Sequence, residues 1–295
     1  MLKLRLFRNL GDQELSFPPE GVAIIGANAQ GKSNLLEAIY YLETFRSFRG
    51  ARMEQLIAFG EDVFRVAGQV ASENDAGGSS TEVAAAYEGS SRRRKVTING
   101  TEPERIGDAI GRFGAVIFSP ADLGIVNGGP VRRRRFMDVA LSLNEEGYLV
   151  ALQSFRHGLA QRNAALRSSQ LEAVVRAWDE PLARSAATVM GARRRWVSEW
   201  RDAFRGYYEE VSGGDSATMT YVPKVSVDGL HDDGIYGACR NALDVRWAVD
   251  LRRKNTSTGP HRDELLLALV NGESEAEVRE FGSGGQCRTV ALALR

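Results

Sequence analysis

The sequence predicts an α/β fold carrying an inserted, mostly helical lobe, and three observations predict it. Alternating or short apolar runs near the N-terminus read as strands. A glycine-rich loop leads from one of these runs into an amphipathic helix. Between residues 130 and 213 the pattern turns almost wholly helical before strands return. The 295 residues, 43% hydrophobic and 26% charged, suffice for one large domain or two ordinary ones and exclude a disordered or fibrous chain. No window approaches 18 consecutive apolar residues, and the alternating N-terminus is not a signal peptide, so a soluble cytoplasmic protein with no membrane partner is expected. The two cysteines, Cys239 and Cys287, are too few for a disulfide scaffold or a thiolate zinc site.

Taken in order, residues 2–8 alternate with period two and read as a half-exposed strand. Residues 21–25 form a continuous apolar run, as a buried central strand would. From residue 31 to 43 the spacing is helical, with Leu35, Leu36, Ile39, Tyr40 and Leu42 on one face. Residues 62–70, 83–88 and 95–98 read as antiparallel strands, with a loop at 73–80 and a turn at Asn99-Gly100. Residues 115–118 are a further strand, stopped by Ser119-Pro120. Pro130 suits a first helical turn, and Pro181 marks a restart into one long helix over 182–210, on which Trp196 and Trp200 read as core-facing. A strand (218–222), a helix (about 234–253), a strand (265–270), the turn Asn271-Gly272 and a partner strand (278–281) follow, and a helix opening at Ser283 or Gly284 closes the chain. The expected division is 1–128, 129–255 for the helical lobe, and 256–295 for the return to α/β.

Gly26, Ala27, Asn28, Ala29, Gln30, Gly31, Lys32 and Ser33 fit the pattern G-x-x-x-x-G-K-[ST] between a strand-like run and a helix. The residue types follow from phosphate chemistry. Glycines allow positive φ and close backbone approach, so successive N–H groups turn toward phosphate oxygens, and the helix adds its positive end. Lys32 would reach the β- and γ-phosphates and Ser33 would ligate Mg²⁺. These residues, with Asn34, form the candidate ATP site. A second glycine-rich helix start, Ser283-Gly284-Gly285-Gln286, lies about 250 residues later. It resembles the signature motif of ABC-type ATPases, which completes the nucleotide site of the opposite subunit. That resemblance implies a homodimer with two ATPs held head to tail, and catalytic roles for Lys32, Ser283 and Gln286.

Net charge is zero, with 38 basic and 38 acidic residues, but the basic residues cluster. The clusters are Arg92-Arg93-Arg94-Lys95, Arg132-Arg133-Arg134-Arg135, Arg193-Arg194-Arg195 and Arg252-Arg253-Lys254. Arg92, Arg93, Arg94, Lys95, Arg133 and Arg134 are the candidate DNA contacts, against the alternative of solvated or ion-paired faces.

Further motifs carry a fuller resemblance: Pro120-Ala121-Asp122-Leu123, Gly128-Gly129-Pro130, Arg133-Arg134, Phe136-Met137-Asp138, Arg46-Ser47-Phe48-Arg49, and the run from Ser257-Thr258-Gly259-Pro260-His261-Arg262 through Asp263-Glu264-Leu265. In their order along the sequence they closely resemble the RecF family, over essentially the whole chain. The resemblance implies an ABC/SMC-type ATPase head: 1–128 its first part, 256–295 its return. It implies a weak ATPase of recombinational repair, replication-gap processing and the SOS response. Such a protein would bind ATP and Mg²⁺, grip duplex or gapped DNA, and work with RecO, RecR and RecA. Family members continue past the signature helix into a strand ending in paired acids, whereas these residues stop nine beyond Gln286, so impaired hydrolysis is expected. Asp263 and Glu264 precede a different strand and are not given that role; an anchoring role is expected for the His261-Arg262-Asp263 segment. The alternatives are the nucleotide-binding subunit of a transporter or chromosome-organising complex, or a small-molecule kinase. The kinase leaves the second motif unused.

Overall fold

The computed structural model describes residues 1–71, 80–227 and 229–295, so the expected loop at 73–80 falls, apart from Ser80, outside the described residues. The chain divides into two compact units, residues 1–117 and 118–295, rather than at 128 and 255.

In the first unit, β1 (Leu2–Arg5), β2 (Gln13–Leu15), β3 (Val63–Ala71), β4 (Ser80–Glu88) and β5 (Arg93–Ile98) form an antiparallel sheet of order β2-β1-β3-β4-β5. The alternation in β1 buries Leu2 and Leu4, which pair with Gly68 and Val66 of β3. The strand ends early because Leu6 and Arg8 take positive φ. Helix α1 (Lys32–Thr44) packs Ala38, Tyr41 and Leu42 into the same core as Phe7, Phe64, Val66 and Tyr87. Asn99 and Gly100 are both left-handed, the turn expected from that dipeptide.

Two expected strands, the central one at 21–25 and the further one at 115–118, do not form. Residues 22–25 and 115–118 have no ladder partner, and Ile25 and Val116 are 91% and 74% exposed. Apolar content makes a run suitable for a buried strand, but a strand exists only where a neighbour supplies its hydrogen bonds, and no described strand pairs with these two.

The second unit holds α2 (Leu123–Asn127), α3 (Pro130–Asn144), α4 (Tyr148–Arg167), α5 (Glu172–Arg176) and α6 (Asp179–Ser212). They are followed by β6 (Ser216–Val222), α7 (Asp232–Val245), α8 (Trp247–Arg253), β7 (Glu264–Asn271), β8 (Ser274–Glu277), α9 (Val278–Phe281) and α10 (Gly284–Ala293). Strands β6, β7 and β8 make an antiparallel sheet in that order. One core unites Phe136, Leu152, Val189, Phe204, Met219, Leu267 and Val290, so residues 256–295 belong with the helices that precede them. Pro181 sits in the first turn of the 34-residue α6, where its missing N–H costs nothing. Trp196 meets Phe136 edge-on at 6.0 Å, but Trp200 is 47% exposed, so the pair is not wholly core-facing. The strand expected at 278–281 lies instead at β8. Asn271 pairs with Ser274 across a two-residue turn, which places the partner strand earlier and leaves 278–281 to the helical turn α9.

Candidate functional site

Gly31 caps α1 with φ 92°, and Ala29 is also left-handed at 66°; with Gly26 at 157° they curl the loop around its own N–H groups. Asn34 and Leu35 donate their N–H groups to the Gly31 carbonyl at 2.8 and 2.9 Å. The N–H groups of Lys32 and Ser33, at the first turn, lie at the end of the helix where no intrahelical acceptor exists. Lys32 Nζ folds over the loop and donates to the carbonyls of Gly26 (2.7 Å) and Ala27 (2.6 Å). Residues 26–30 and Ser33 are exposed. The site therefore offers backbone donors, one ammonium and one hydroxyl, and no carboxylate, a set that fits a polyphosphate. Among the described residues no group of three or more His, Cys, Asp or Glu could hold a metal ion. The expected Mg²⁺ ligand here is thus Ser33 alone.

The structure adds residues that sequence reasoning did not find. Asn9, just after β1, donates Nδ2 to the Ala29 carbonyl at 2.9 Å and accepts from Asn34 Nδ2 at 2.7 Å; Arg49 donates to Asn34 Oδ1 at 2.9 Å. Asn34, expected at the nucleotide, here braces the loop. On α1 itself Glu37 is fully buried and accepts both arms of the Arg8 guanidinium at 3.0 Å, with Ser47 Oγ donating to the same carboxylate. Its one signal in the sequence is a carboxylate set one turn before Tyr41 on the inward side of the helix.

In the second unit Ser283 caps α10. Its Oγ accepts from the Gln286 N–H at 3.2 Å, while its own N–H donates to Gln286 Oε1 at 2.8 Å, a reciprocal capping box. Both side chains keep a donor free: the Ser283 hydroxyl proton and the Gln286 amide. A Cβ at Gly284 would meet nothing within 4 Å, and one at Gly285 only Ser283 Oγ at 3.8 Å. Internal packing therefore does not require glycine at either position; close approach by something outside the chain would. The helix is held from beneath by buried Cys287, Val290 and Ala291, and Arg295 pairs with Asp122.

The basic clusters separate sharply. Arg133, 2% exposed, donates to both oxygens of Glu264 (2.7 and 2.8 Å) and to the carbonyl of Gly128 (2.7 Å). Arg134 donates to the Asp263 carbonyl at 2.7 Å, and desolvation draws its pKa down. The expected DNA contact at Arg133 is corrected, its charge being buried against Glu264; Arg134 is half-buried beside it with a carbonyl partner. In the Arg92–Lys95 cluster Lys95 pairs with Glu102 at 2.8 Å and Arg94 bonds the Phe45 carbonyl, leaving Arg92 and Arg93 exposed.

The His261-Arg262-Asp263 segment is an anchor in the structure. Asp263 is fully buried and accepts from Tyr221 Oη, the Lys224 N–H (2.9 Å) and Arg193 (3.4 Å). Burial raises its carboxyl. Arg193 also bonds Asp138 (2.8 Å) and the Pro260 carbonyl (2.7 Å), tying α3, α6 and the segment together. His261 Nε2 lies 3.0 Å from the Thr256 carbonyl, and Nδ1 is buried without a partner among the described residues; desolvation lowers the imidazole to about 4.

No family model matches the chain. Among curated proteins, the DNA replication and repair protein RecF of Citrifermentans bemidjiense is 35% identical over 295 residues, covering 100% of this chain and 78% of that one. The protein of the same name from Gloeobacter violaceus is 35% identical over 300 residues, with 100% and 78% covered. Among solved structures, the recombination mediator protein RecF with ATP in the RecFOR pathway superposes with a TM-score of 0.88 at 33% identity, covering 99% of this chain and 78% of that one. An SMC head bound to the winged-helix domain of ScpA shares the fold alone, with a TM-score of 0.51 at 16% identity and coverage of 99% and 73%.

Proposed function

The chain belongs to the RecF family of ABC-type ATPases, and on that premise we propose that it is an ATP-gated DNA-binding protein of recombinational repair. In this reading it dimerises on ATP, grips duplex or gapped DNA in the cytoplasm, and works with RecO- and RecR-type partners to load the recombinase. Among the described residues no helix is long and apolar enough to cross a membrane.

One observation carries the reading: the chain presents two helix N-termini of complementary kind. One is the loop capped by Gly31, with Lys32 beside it. The other is the Ser283 cap, whose following glycines are unexplained by internal packing. Neither is a complete nucleotide site; a pair of chains set head to tail makes two.

The residues then have separate tasks. The loop N–H groups and the positive end of α1 would hold phosphate oxygens, and Lys32 would leave the Gly26 and Ala27 carbonyls for them. Ser33 would supply a hydroxyl to Mg²⁺. The partner's Ser283 hydroxyl, Gln286 amide and first-turn N–H groups would face the same phosphates from the other side. Bound ATP–Mg²⁺ would supply the anhydride that is hydrolysed and the negative charge that bridges the two subunits. Gating requires that the closed pair bind nucleotide better than the open one. A tenfold preference at each of two sites contributes about 2.8 kcal/mol toward closure.

Fluorescence anisotropy of a labelled gapped duplex, with ATP–Mg²⁺ and with ADP, tests the reading against a Lys32→Met variant. Binding with ATP that is lost with ADP and in the variant is the expected result. Equal binding in all three conditions removes the gating, and no binding in any removes the DNA role.

A further inference from the structure

We infer that one side of α8, from Arg246 at its start to Arg252, Arg253 and Lys254 at its end, is a contact surface for DNA backbone phosphates. The inference rests on the DNA-binding reading above and assigns it a surface on the second unit.

Four basic clusters are written in the sequence; pairing takes half of two of them and the whole of a third. Arg133 and Arg134 are bonded into the base of β7. Arg193 is buried against Asp138, Arg194 donates to the Val227 carbonyl at 2.6 Å, and Arg195 pairs with Glu145 at 2.8 Å. Lys95 and Arg94 are engaged as described. At the end of α8, by contrast, Arg252, Arg253 and Lys254 are all exposed, as is Arg246 at the start of the helix. None of the four has a side-chain partner among the described residues.

The nearby acids cannot answer them. Between Gly234 and Lys254 the chain carries five cations and two carboxylates. Asp244 is bonded by Arg176 at 2.6 Å. Asp250 is fully buried, held by Arg162 at 2.8 Å and by the Ser257 N–H and hydroxyl at 2.9 and 2.6 Å. A favourable helix C-terminus accommodates a cation or two but does not call for three in succession.

The platform beneath is fixed. Lys254 closes α8 in a left-handed conformation with its N–H on the Asp250 carbonyl, and Asn163 of α4 takes the Thr256 N–H at 2.8 Å. Arg162, itself fully buried, ties Asp250 and Asp179 together from α4. The charges thus stand on a braced turn whose ordering is complete before an anion arrives. Seven residues of helix place Arg246 and Arg253 about 10 Å apart along the axis and within about 20° of one side. That spacing spans about three phosphates at a rise of about 3.4 Å per strand. Arginine forks suit phosphate oxygens, and with no acceptor or aromatic side chain among the four, backbone contact is the chemistry assigned to them.

The test is anisotropy of the labelled gapped duplex with ATP–Mg²⁺ across a salt series, on the full chain and on Arg252→Ala/Arg253→Ala/Lys254→Ala. The slope of log affinity against log salt is expected to become shallower by about 2–3, and binding of a fluorescent ATP analogue to stay unchanged. Arg246→Ala/Arg252→Ala, which leaves the helix end intact, is expected to lower the slope by about 2. Arg252→Lys/Arg253→Lys is expected to retain it. Unchanged affinity and slope in both alanine variants, with the unsubstituted chain binding DNA, overturn this surface alone. Absence of DNA binding by the unsubstituted chain in every nucleotide state overturns the functional reading and this surface with it.

Discussion

At the scale of single residues, the site depends on positions that admit one side chain. Gly31 combines φ 92° with a neighbour that leaves no room: an added Cβ would lie 2.6 Å from Leu10 Cδ2 and 2.8 Å from Asn9 Oδ1. Gly31→Ala is therefore expected to abolish binding of a fluorescent ATP analogue and to lower the thermal midpoint, because strain and clash fall on the loop together. Unimpaired nucleotide binding would show that the cap geometry is not needed. His261 gives a second residue-scale prediction. Its imidazole titrates near 6.5 when unfolded and is lowered to about 4 when folded, chiefly by burial and then by the Arg262 and Arg134 charges. Between those values the unfolded chain binds the additional proton. The contribution to stability is therefore full above pH 6.5 and is lost as pH falls toward 4. Asp263, raised by burial, acts in the opposite sense at the acid end, so the informative quantity is a difference between variants. His261→Gln should lose less stability than the unsubstituted chain over this window, read as thermal midpoint against pH. Parallel curves would refute the assignment.

Elements raise the question of what a local pattern can specify. Helix α1 depends on one buried carboxylate, and Glu37→Gln should cost about 3 kcal/mol in denaturant unfolding, the low end for breaking a buried ion pair because Arg8 and Arg49 keep access to water. A loss below about 0.5 kcal/mol, the range of ordinary surface changes, would mean that the Arg8 pairing adds nothing. For α10, Ser283→Ala removes the cap and should cost about 1 kcal/mol. It should leave ATP binding by the monomer untouched, since the loop lies in the other unit. These two helices differ in how legible they were. The starts of α1 and α10 could be read directly, because a glycine cap and a capping box are local statements; the inward face of α1 was read in part, since Tyr40 and Leu42 are buried but Leu36 is 41% exposed and Tyr41, not expected there, is fully buried. Glu37 with Arg8 could not, since the partners are 29 residues apart and neither is unusual alone. The runs at 22–25 and 115–118 failed for a related reason: their composition is that of a strand, but the hydrogen bonds that make one must come from elsewhere. The basic clusters were visible as charge, yet only folding showed that Arg133 and Arg193 face inward.

For the whole molecule, the proposed function requires that each chain carry half of two sites. Lys32→Met disables the loop and Ser283→Arg places a cation and bulk where the opposite nucleotide would sit. A homodimer of either variant contains no intact site. A head-to-tail heterodimer contains one doubly damaged site and one in which both halves are native: the loop of the Ser283→Arg chain and the cap of the Lys32→Met chain. Each variant alone should therefore sediment as a monomer with ATP–Mg²⁺. An equimolar mixture should show an ATP-dependent dimer, weaker than that of the unsubstituted chain because one nucleotide bridges instead of two. With a tenfold preference per site, losing one bridge corresponds to about 1.4 kcal/mol, a tenfold shift in the dimerisation midpoint. A mixture that stays monomeric would place both half-sites in the same chain's service. Dimerisation of Ser283→Arg alone would remove the cap from the interface. Recovery on mixing requires two chains to share one nucleotide, because no arrangement within a single variant chain supplies both halves.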